Sequence, residues 1–406
     1  MAVCMTENVN LSIDLKRLLH PLELGTFKTQ YWEQQPLILN RSDPSFYQHL
    51  LSLSDVDYIL SHSTIRSSDI RLVQDGQELS ISNLRAAGEN LSVGGLEAVF
   101  QQYRKGTTIN LLFLHEHWPP LKRLCQSIAA ELSVGVQVNV YLTPPNERGL
   151  KTHYDTHDVF VLQTYGAKRW RIYDSPIRLP LLDRPYTADA SKGPRDPKVE
   201  ITLNSGDLLY IPRGYLHDAA SLDSSSLHLT IGIKPVTWAS VILDAVQSVI
   251  DQDLRMRESL PPGFALDETL RRKSEAKLNE LIISVCDQIK PSAAISEASN
   301  RALLARYPSL EGHLLDLEFA RLVGLDTRVR RRADIQWTLS SDTEFIYLHF
   351  HGKIVRMPAN VETDLNFIGE AEEFTANALP GGFDPESKIL LVCNLLREGF
   401  LTISRD

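Results

Sequence analysis

Between residues 136 and 233 the sequence reads as short β-strands, in part by alternation of apolar and polar side chains with a period of two. The clearest run is 136–143, where Val136, Val138 and Val140 fall on one face and Gln137, Asn139 and Tyr141 on the other. Further strands are predicted over 159–163, 169–173, 198–203, 207–211 and 227–233, with a turn at Tyr165-Gly166 and a long loop rich in Pro, Asp and Ser over 176–197. Many short strands punctuated by Gly and Pro predict a sandwich or barrel.

The flanking sequence has other periods. Leu15, Leu18, Leu19 and Leu22 carry helical spacing in a broken helical stretch over 11–51, with a short strand at 37–39 after Pro36. Helices are predicted over 54–60, 96–103 and 119–132, a hairpin over 69–73 and 78–81 around Asp75-Gly76, and an apolar strand over 107–114. At Lys234-Pro235 the pattern turns helical: 236–256, 267–289 and 296–307 form three helices, the first two separated by Pro261-Pro262-Gly263. This α-helical segment is expected to pack on a second copy of itself. The last region reads as strand over 344–355, helix over 363–378 and 385–397, and strand over 400–403. Helices followed by a short β-ribbon make a winged-helix pattern. The expected organisation is a mainly β unit over 1–236, a helical dimerisation segment over 237–332 and a winged-helix-like domain over 333–406.

Composition narrows this only a little. The 406 residues allow two or three domains, and 43% hydrophobic with 23% charged residues is ordinary for a globular protein. A net charge of -9 disfavours a general nucleic-acid-binding role. Cys4, Cys125, Cys286 and Cys393 are far apart and form no CxxC pair, which argues against a zinc ribbon or a disulfide scaffold and fits a reducing compartment. No apolar run reaches membrane-spanning length, and the N-terminus lacks a basic stretch followed by an apolar one. The chain is expected to be cytoplasmic, or nuclear or nucleolar in a eukaryote, without membrane association.

Candidate chemistry changes the picture more. His153 and Asp155, read as two residues of one strand, would project side by side, and His217 follows in the stretch GDLLYIPRGYLHDA. Two His and one carboxylate with open coordination positions form the facial triad of non-heme Fe(II) oxygenases. An HxD on strands with a distant His predicts the double-stranded β-helix, the jelly roll of cupins. His157, at i+4, is a competing ligand. His115-Glu116-His117 and His349-Phe350-His351 also pair two His, without a recognisable third ligand. Arg328, Arg330, Arg331 and Arg332 read as a solvated inter-domain surface rather than a site for RNA.

The stretches YWEQQPLIL, VNVYLTPPNERGLKTHYDTHDVFVLQTYGAKRWRIY, GDLLYIPRGYLHDA and SLHLTIGI resemble the Jumonji-C (JmjC) ribosomal oxygenases, Fe(II)- and 2-oxoglutarate-dependent protein hydroxylases. The likeness is close over 31–41 and 136–236 and architectural beyond. It implies that His153, Asp155 and His217 hold Fe(II), with O2 and 2-oxoglutarate as cosubstrates. It implies that Lys168, rather than the adjacent Arg169, anchors the distal carboxylate of 2-oxoglutarate. Asn139 and Tyr141 align with cosubstrate contacts. His228 and Thr230 point inward by alternation, for the cosubstrate or to support the ligands. The implied substrate is a protein or peptide, such as a ribosomal protein, with Lys168 tilting the target toward histidine over arginine. A catalytically silent cupin adaptor, an N-methyl-lysine demethylase and a natural-product peptide hydroxylase are the alternatives.

Overall fold

A computed structural model of the chain describes residues 14–62, 65–79, 92–186, 196–304, 310–332, 335, 337–350 and 353–405, with the side chains of 303 and 304 left aside. The chain divides into two compact units, Met1–Pro235 and Val236–Asp406.

The first unit opens with α1 (Leu15–Leu19), α2 (Leu24–Thr26), a π-helical turn (Phe27–Tyr31) and β1 (Leu37–Leu39). It continues through α3 (Leu53–His62), β2 (Ile70–Gln74), β3 (Gln77–Glu78), α4 (Val93–Arg104), β4 (Thr108–Leu111) and α5 (Pro119–Leu132). Seven strands follow: β5 (Gly135–Thr143), β6 (Asp158–Tyr165), β7 (Ala167–Ile172), β8 (Val199–Asn204), β9 (Leu208–Ile211), β10 (His217–Ser221) and β11 (Ser226–Lys234). They build an eight-stranded antiparallel sheet, β1-β9-β6-β11-β5-β4-β2-β3, and a three-stranded one, β10-β7-β8. This is the jelly-roll arrangement expected.

Alternation decides which side chains face where. Val138 and Val140 of β5, Phe160 and Leu162 of β6, and Leu229 and Ile231 of β11 are buried in one core with Leu15, Leu18, Ile59, Val99, Leu121 and Ile128 of the helices. The opposite faces look into the space between the two sheets, where Val159, Val161, Trp170, Ile172, Leu203, Leu209 and Ile211 form a second core. The Asp75-Gly76 hairpin turn has positive φ at both residues, 49° and 72°, as a two-residue turn of right-handed strands requires. The predicted strand at 78–81 is described only to Leu79, where β3 has already ended.

Three readings of this unit change. The strand predicted over 107–114 stops at Leu111, and a 3₁₀ turn takes Leu114–Glu116. His153 and Asp155 lie in an irregular run rather than on a strand, because the ladder of β6 begins only at Asp158. β10, which starts at His217, has no counterpart among the predicted strands.

The second unit starts at α6 (Trp238–Gln252), capped by Thr237 and Ser240 in a reciprocal capping box. Then come α7 (Glu268–Gln288), α8 (Pro291–Leu304) and α9 (His313–Phe319), the last absent from the sequence reading. β12 (Arg328–Arg331), β13 (Trp337–Ser341), β14 (Phe345–Phe350), β15 (Lys353–Pro358), α10 (Glu362–Glu370), β16 (Phe374–Thr375), α11 (Pro385–Arg397) and β17 (Leu401–Ile403) complete it. Their sheets are β16-β12-β17 and β13-β14-β15, around a core that includes Val329, Leu348, Ile368, Leu395 and Phe400. The strand read over 344–355 is thus a hairpin, and the helix read over 363–378 ends at Glu370.

The arginine cluster is only in part a solvated face. Arg328 and Arg330 are exposed, but Arg332 is buried, ion-paired to the fully buried Asp316 and hydrogen-bonded to Glu311 O at 2.7 Å. Arg331 donates to Gly369 O. The Arg332 guanidinium satisfies a buried carboxylate, which removes it from any basic surface.

Candidate metal centre

His153, Asp155 and His217 present ligand atoms that all lie within 4.8 Å of one another. Backbone bonds bring them together: His153 N–H donates to His217 O at 3.1 Å and His217 N–H to His153 O at 2.8 Å. Tyr154, between the two HxD residues, is buried and packs edge-on against Tyr186.

Each imidazole is turned by a carbonyl. Nδ1 of His153 lies 2.7 Å from Lys151 O, and Nδ1 of His217 lies 3.0 Å from Tyr215 O. A carbonyl only accepts, so Nδ1 carries the proton and the Nε2 lone pair is left free. These Nε2 atoms stand 3.8 and 3.6 Å from Asp155 Oδ1 and Oδ2. The tip of the β2–β3 hairpin supports the loop: a Cβ on Gly76 would fall 2.7 Å from Lys151 N. Burial and the adjacent His153 lower the His217 imidazole to about 4, so it is neutral at pH 7. Burial alone would raise the Asp155 carboxyl, but His217 and His153 outweigh it and hold it below the ordinary value. Two imidazoles with Nε2 turned toward a carboxylate are the donor set that a divalent first-row metal takes.

The cavity measures about 690 Å³ including its open mouth, and all eight residues singled out in the sequence line it. Lys168 is 2% exposed and donates from Nζ to Thr143 Oγ1 at 2.9 Å, while Arg169 faces away, its Nε 3.7 Å from Glu200 Oε1. Burial lowers the Lys168 ammonium to about 7. Tyr141 and His228, paired across β5 and β11, stack with ring centroids 5.0 Å apart and planes 2° apart. Asn139 and Thr230 form the next pair but one, and Asn139 Oδ1 accepts from Phe113 N–H at 3.1 Å.

Two polar atoms on the cavity wall, His228 Nδ1 and Trp170 Nε1, are buried without a hydrogen-bond partner among the described residues. Orphaned polar atoms beside a buried amine fit an anionic ligand that carries acceptors. Trp170 was missed in the sequence, although it lies two residues from Lys168 and so shares its face. Asp218, also on the wall, was missed too.

The other histidines separate from this group. His157 lines the cavity with its ring against Gly232, where a Cβ would lie 2.6 Å away, but it does not join the three ligand atoms. His115 is buried in a 3₁₀ turn, its Nδ1 3.2 Å from Val138 N. His117 Nε2 is 3.8 Å from Asp69. His349 Nε2 lies 2.8 Å from Ser340 Oγ, and His351 is outside the described residues.

Comparison with known proteins agrees with the fold. Residues 113–241 match the JmjC domain model. Ribosomal oxygenase 2 of Rattus norvegicus is 29% identical over 289 residues, 67% of this chain and 59% of that protein. The bifunctional lysine-specific demethylase and histidyl-hydroxylase NO66 of Drosophila persimilis is 31% identical over 256 residues, 61% of this chain and 36% of that protein. The chain thus spans less than two thirds of the length of these relatives. A solved structure of YcfD, a ribosomal oxygenase from Escherichia coli in complex with cobalt and 2-oxoglutarate, has the same fold, with a TM-score of 0.51 and 15% identity over 95% of this chain and 99% of that one. Residues 113–241 match the JmjC domain, and over this part the chain is similar to the ribosomal oxygenases.

Proposed function

We propose that the chain is an Fe(II)- and 2-oxoglutarate-dependent oxygenase that hydroxylates a protein or peptide side chain, with a ribosomal-protein-like target. One observation carries the reading: a His, Asp, His ligand set and a buried amine share one cavity. The names of the relatives support it, and the cobalt and 2-oxoglutarate described for YcfD suit the same pair of features.

In this reading His153, Asp155 and His217 hold the metal through Nε2, Nε2 and a carboxylate oxygen. Lys168 binds the distal carboxylate of 2-oxoglutarate, with Thr143 beside it. The stacked Tyr141 and His228 rings, with Trp170, wall the cosubstrate and exclude water, and Asn139 and Thr230 complete the wall. With O2, the bound metal and 2-oxoglutarate supply an oxidant strong enough for an unactivated C–H, with succinate and CO2 as coproducts. The protein's part is positioning: the carbon held at the open face of the site is the one that reacts. Residues 237–332 are assigned as a dimerisation segment and 333–406 as a winged-helix-like domain, consistent with the exposed apolar residues of α6 to α8 and the small antiparallel sheets that follow.

Replacing His217 with alanine is expected to abolish stoichiometric metal binding and 2-oxoglutarate turnover together. A folded variant that keeps both would remove the triad from this reading. Demethylation shares the same iron chemistry and stands as the second reading, because NO66 carries both activities in its name.

A further inference from the structure

The two segments that bear the proposed ligands are joined by backbone bonds at two places: the His153–His217 pair with Gly214 N–H to Asp155 O at 3.0 Å, and Ser221 N–H to Glu147 O at 2.9 Å with Asn146 N–H to Leu222 O at 2.8 Å. Two isolated antiparallel bridges connect them, Arg148 with Ala220 and His153 with His217. From the first bridge to the second is five residues on one strand and three on the other. The two extra residues bulge, and the register of the pairing shifts between the bridges. A slip by one residue would turn a ligand side chain to the opposite face. A side-chain tie beside the His153–His217 bridge would fix where the bulge ends.

We propose that Asp218 is a positioning residue for the metal centre, which through Thr152 ends the bulge at His153 and so sets the His153–His217 pair. The inference rests on the metal-site reading above. Thr152 and Asp218 flank the two histidines and face each other across the pairing. Thr152 Oγ1 donates to Asp218 Oδ2 at 2.9 Å, and Tyr173 O–H donates to the same oxygen at 2.7 Å. Arg171, directly opposite Asp218 on β7, donates from Nε to Oδ1 at 3.0 Å and has Nη2 at 3.0 Å from it. One carboxylate therefore ties the irregular ligand run to β10 and β7. Its oxygens are taken by these donors and its charge by Arg171, so it holds the ligands without competing for the metal. At the far end of the same two segments the buried Arg213 meets Asp158 at 2.8 Å and Glu33 at 2.6 Å. That buried pair belongs to the folding core. Asp218, with a side chain 12% exposed at the cavity wall, can be altered with less risk to the fold.

The test is a Co(II) titration of the full chain, followed by the visible bands of the bound ion, with Tm of the metal-free protein as the check on folding. Thr152→Val is expected to weaken Co(II) binding about tenfold or more and to shift the bands, the usual size for a group that orients a metal ligand. Thr152→Ser, which keeps the hydroxyl, is expected to restore wild-type affinity, and Asp218→Ala to weaken binding at least as much as Thr152→Val. Should Asp218→Ala fail to fold, the Thr152 pair decides. Folded Thr152→Val with wild-type affinity and bands, or Thr152→Ser as impaired as Thr152→Val, overturns the inference. Absence of Co(II) binding by the wild-type chain overturns the metal site itself, and the inference with it.

Discussion

Lys168 pairs a cation-forming group with an apolar burial that does not favour the cation. Its ammonium is lowered from an ordinary value of 10.5 to about 7 by burial. The unfolded chain binds more protons than the folded one between these values, so this group's contribution to stability is least favourable below pH 7 and improves as pH rises toward 10.5. A carboxylate brought to Nζ reverses the preference, because it favours the charged amine. Binding of 2-oxoglutarate should then take up a proton above pH 7. Its affinity is expected to fall from pH 7 to pH 9, by up to about tenfold per unit, with a binding heat that depends on the buffer's ionisation heat. Calorimetry in two buffers checks this, and an affinity flat across that range contradicts it. Lys168→Ala is expected to raise the KM for 2-oxoglutarate about tenfold or more, the order of one charge-assisted hydrogen bond. An unchanged KM would move the anchor to another residue. The inward placement of Asn139, Tyr141, His228 and Thr230 was legible because each lies on a strand with period two, whereas the choice of Lys168 over Arg169 came from the family resemblance alone. Asp218 was not, since its partners Thr152, Arg171 and Tyr173 meet only in the folded chain.

Elements were legible where their own pattern decides them and hidden where a distant partner does. α5 and α11 start and stop where the sequence says, each with proline in its first turn. β10 reads His217, Asp218, Ala219, Ala220, Ser221, with no alternation, and is a strand because β7 supplies the ladder. Phe374 leaves the predicted helix for the same reason, to pair with Val329. The HxD run shows the converse: its residues share a face without forming a strand. Helices α6 and α7 leave Trp238, Ile242, Leu243, Leu278, Ile282 and Ile283 more than half exposed. Apolar residues at that density on helices are ordinarily covered. The intact chain is therefore expected to sediment as a homodimer at micromolar concentration, and Ile282→Glu with Ile283→Glu to shift it toward monomer with the metal site intact. A wild-type chain that is monomeric throughout leaves these helices without the assigned role.

At the scale of the whole molecule, the change from a β period to a helical one was legible at Lys234-Pro235, since it needs only local periodicity and α6 follows at Trp238. The substrate was not, because the residues that line the cavity bear on the proposed cosubstrate rather than on what arrives at the open face. What bears on it is surface and charge. The unit that bears the proposed site is followed by 171 further residues, Val236–Asp406, more than a small metabolite requires. The balance of 51 acidic against 42 basic residues gives -9, which repels a phosphate backbone and attracts a basic polypeptide. The expectation is turnover with basic peptides drawn from ribosomal proteins, with histidine hydroxylated in preference to arginine. A mixed challenge with peptides, free amino acids and single-stranded oligonucleotides, following succinate formed together with oxygenated product, tests it. The KM for a basic peptide is further expected to rise as salt increases from roughly 0.05 to 0.3 M, since screening weakens the attraction. Coupled turnover with free amino acids or oligonucleotides and none with any peptide would exclude a polypeptide substrate, and a KM indifferent to salt would remove charge from its recognition.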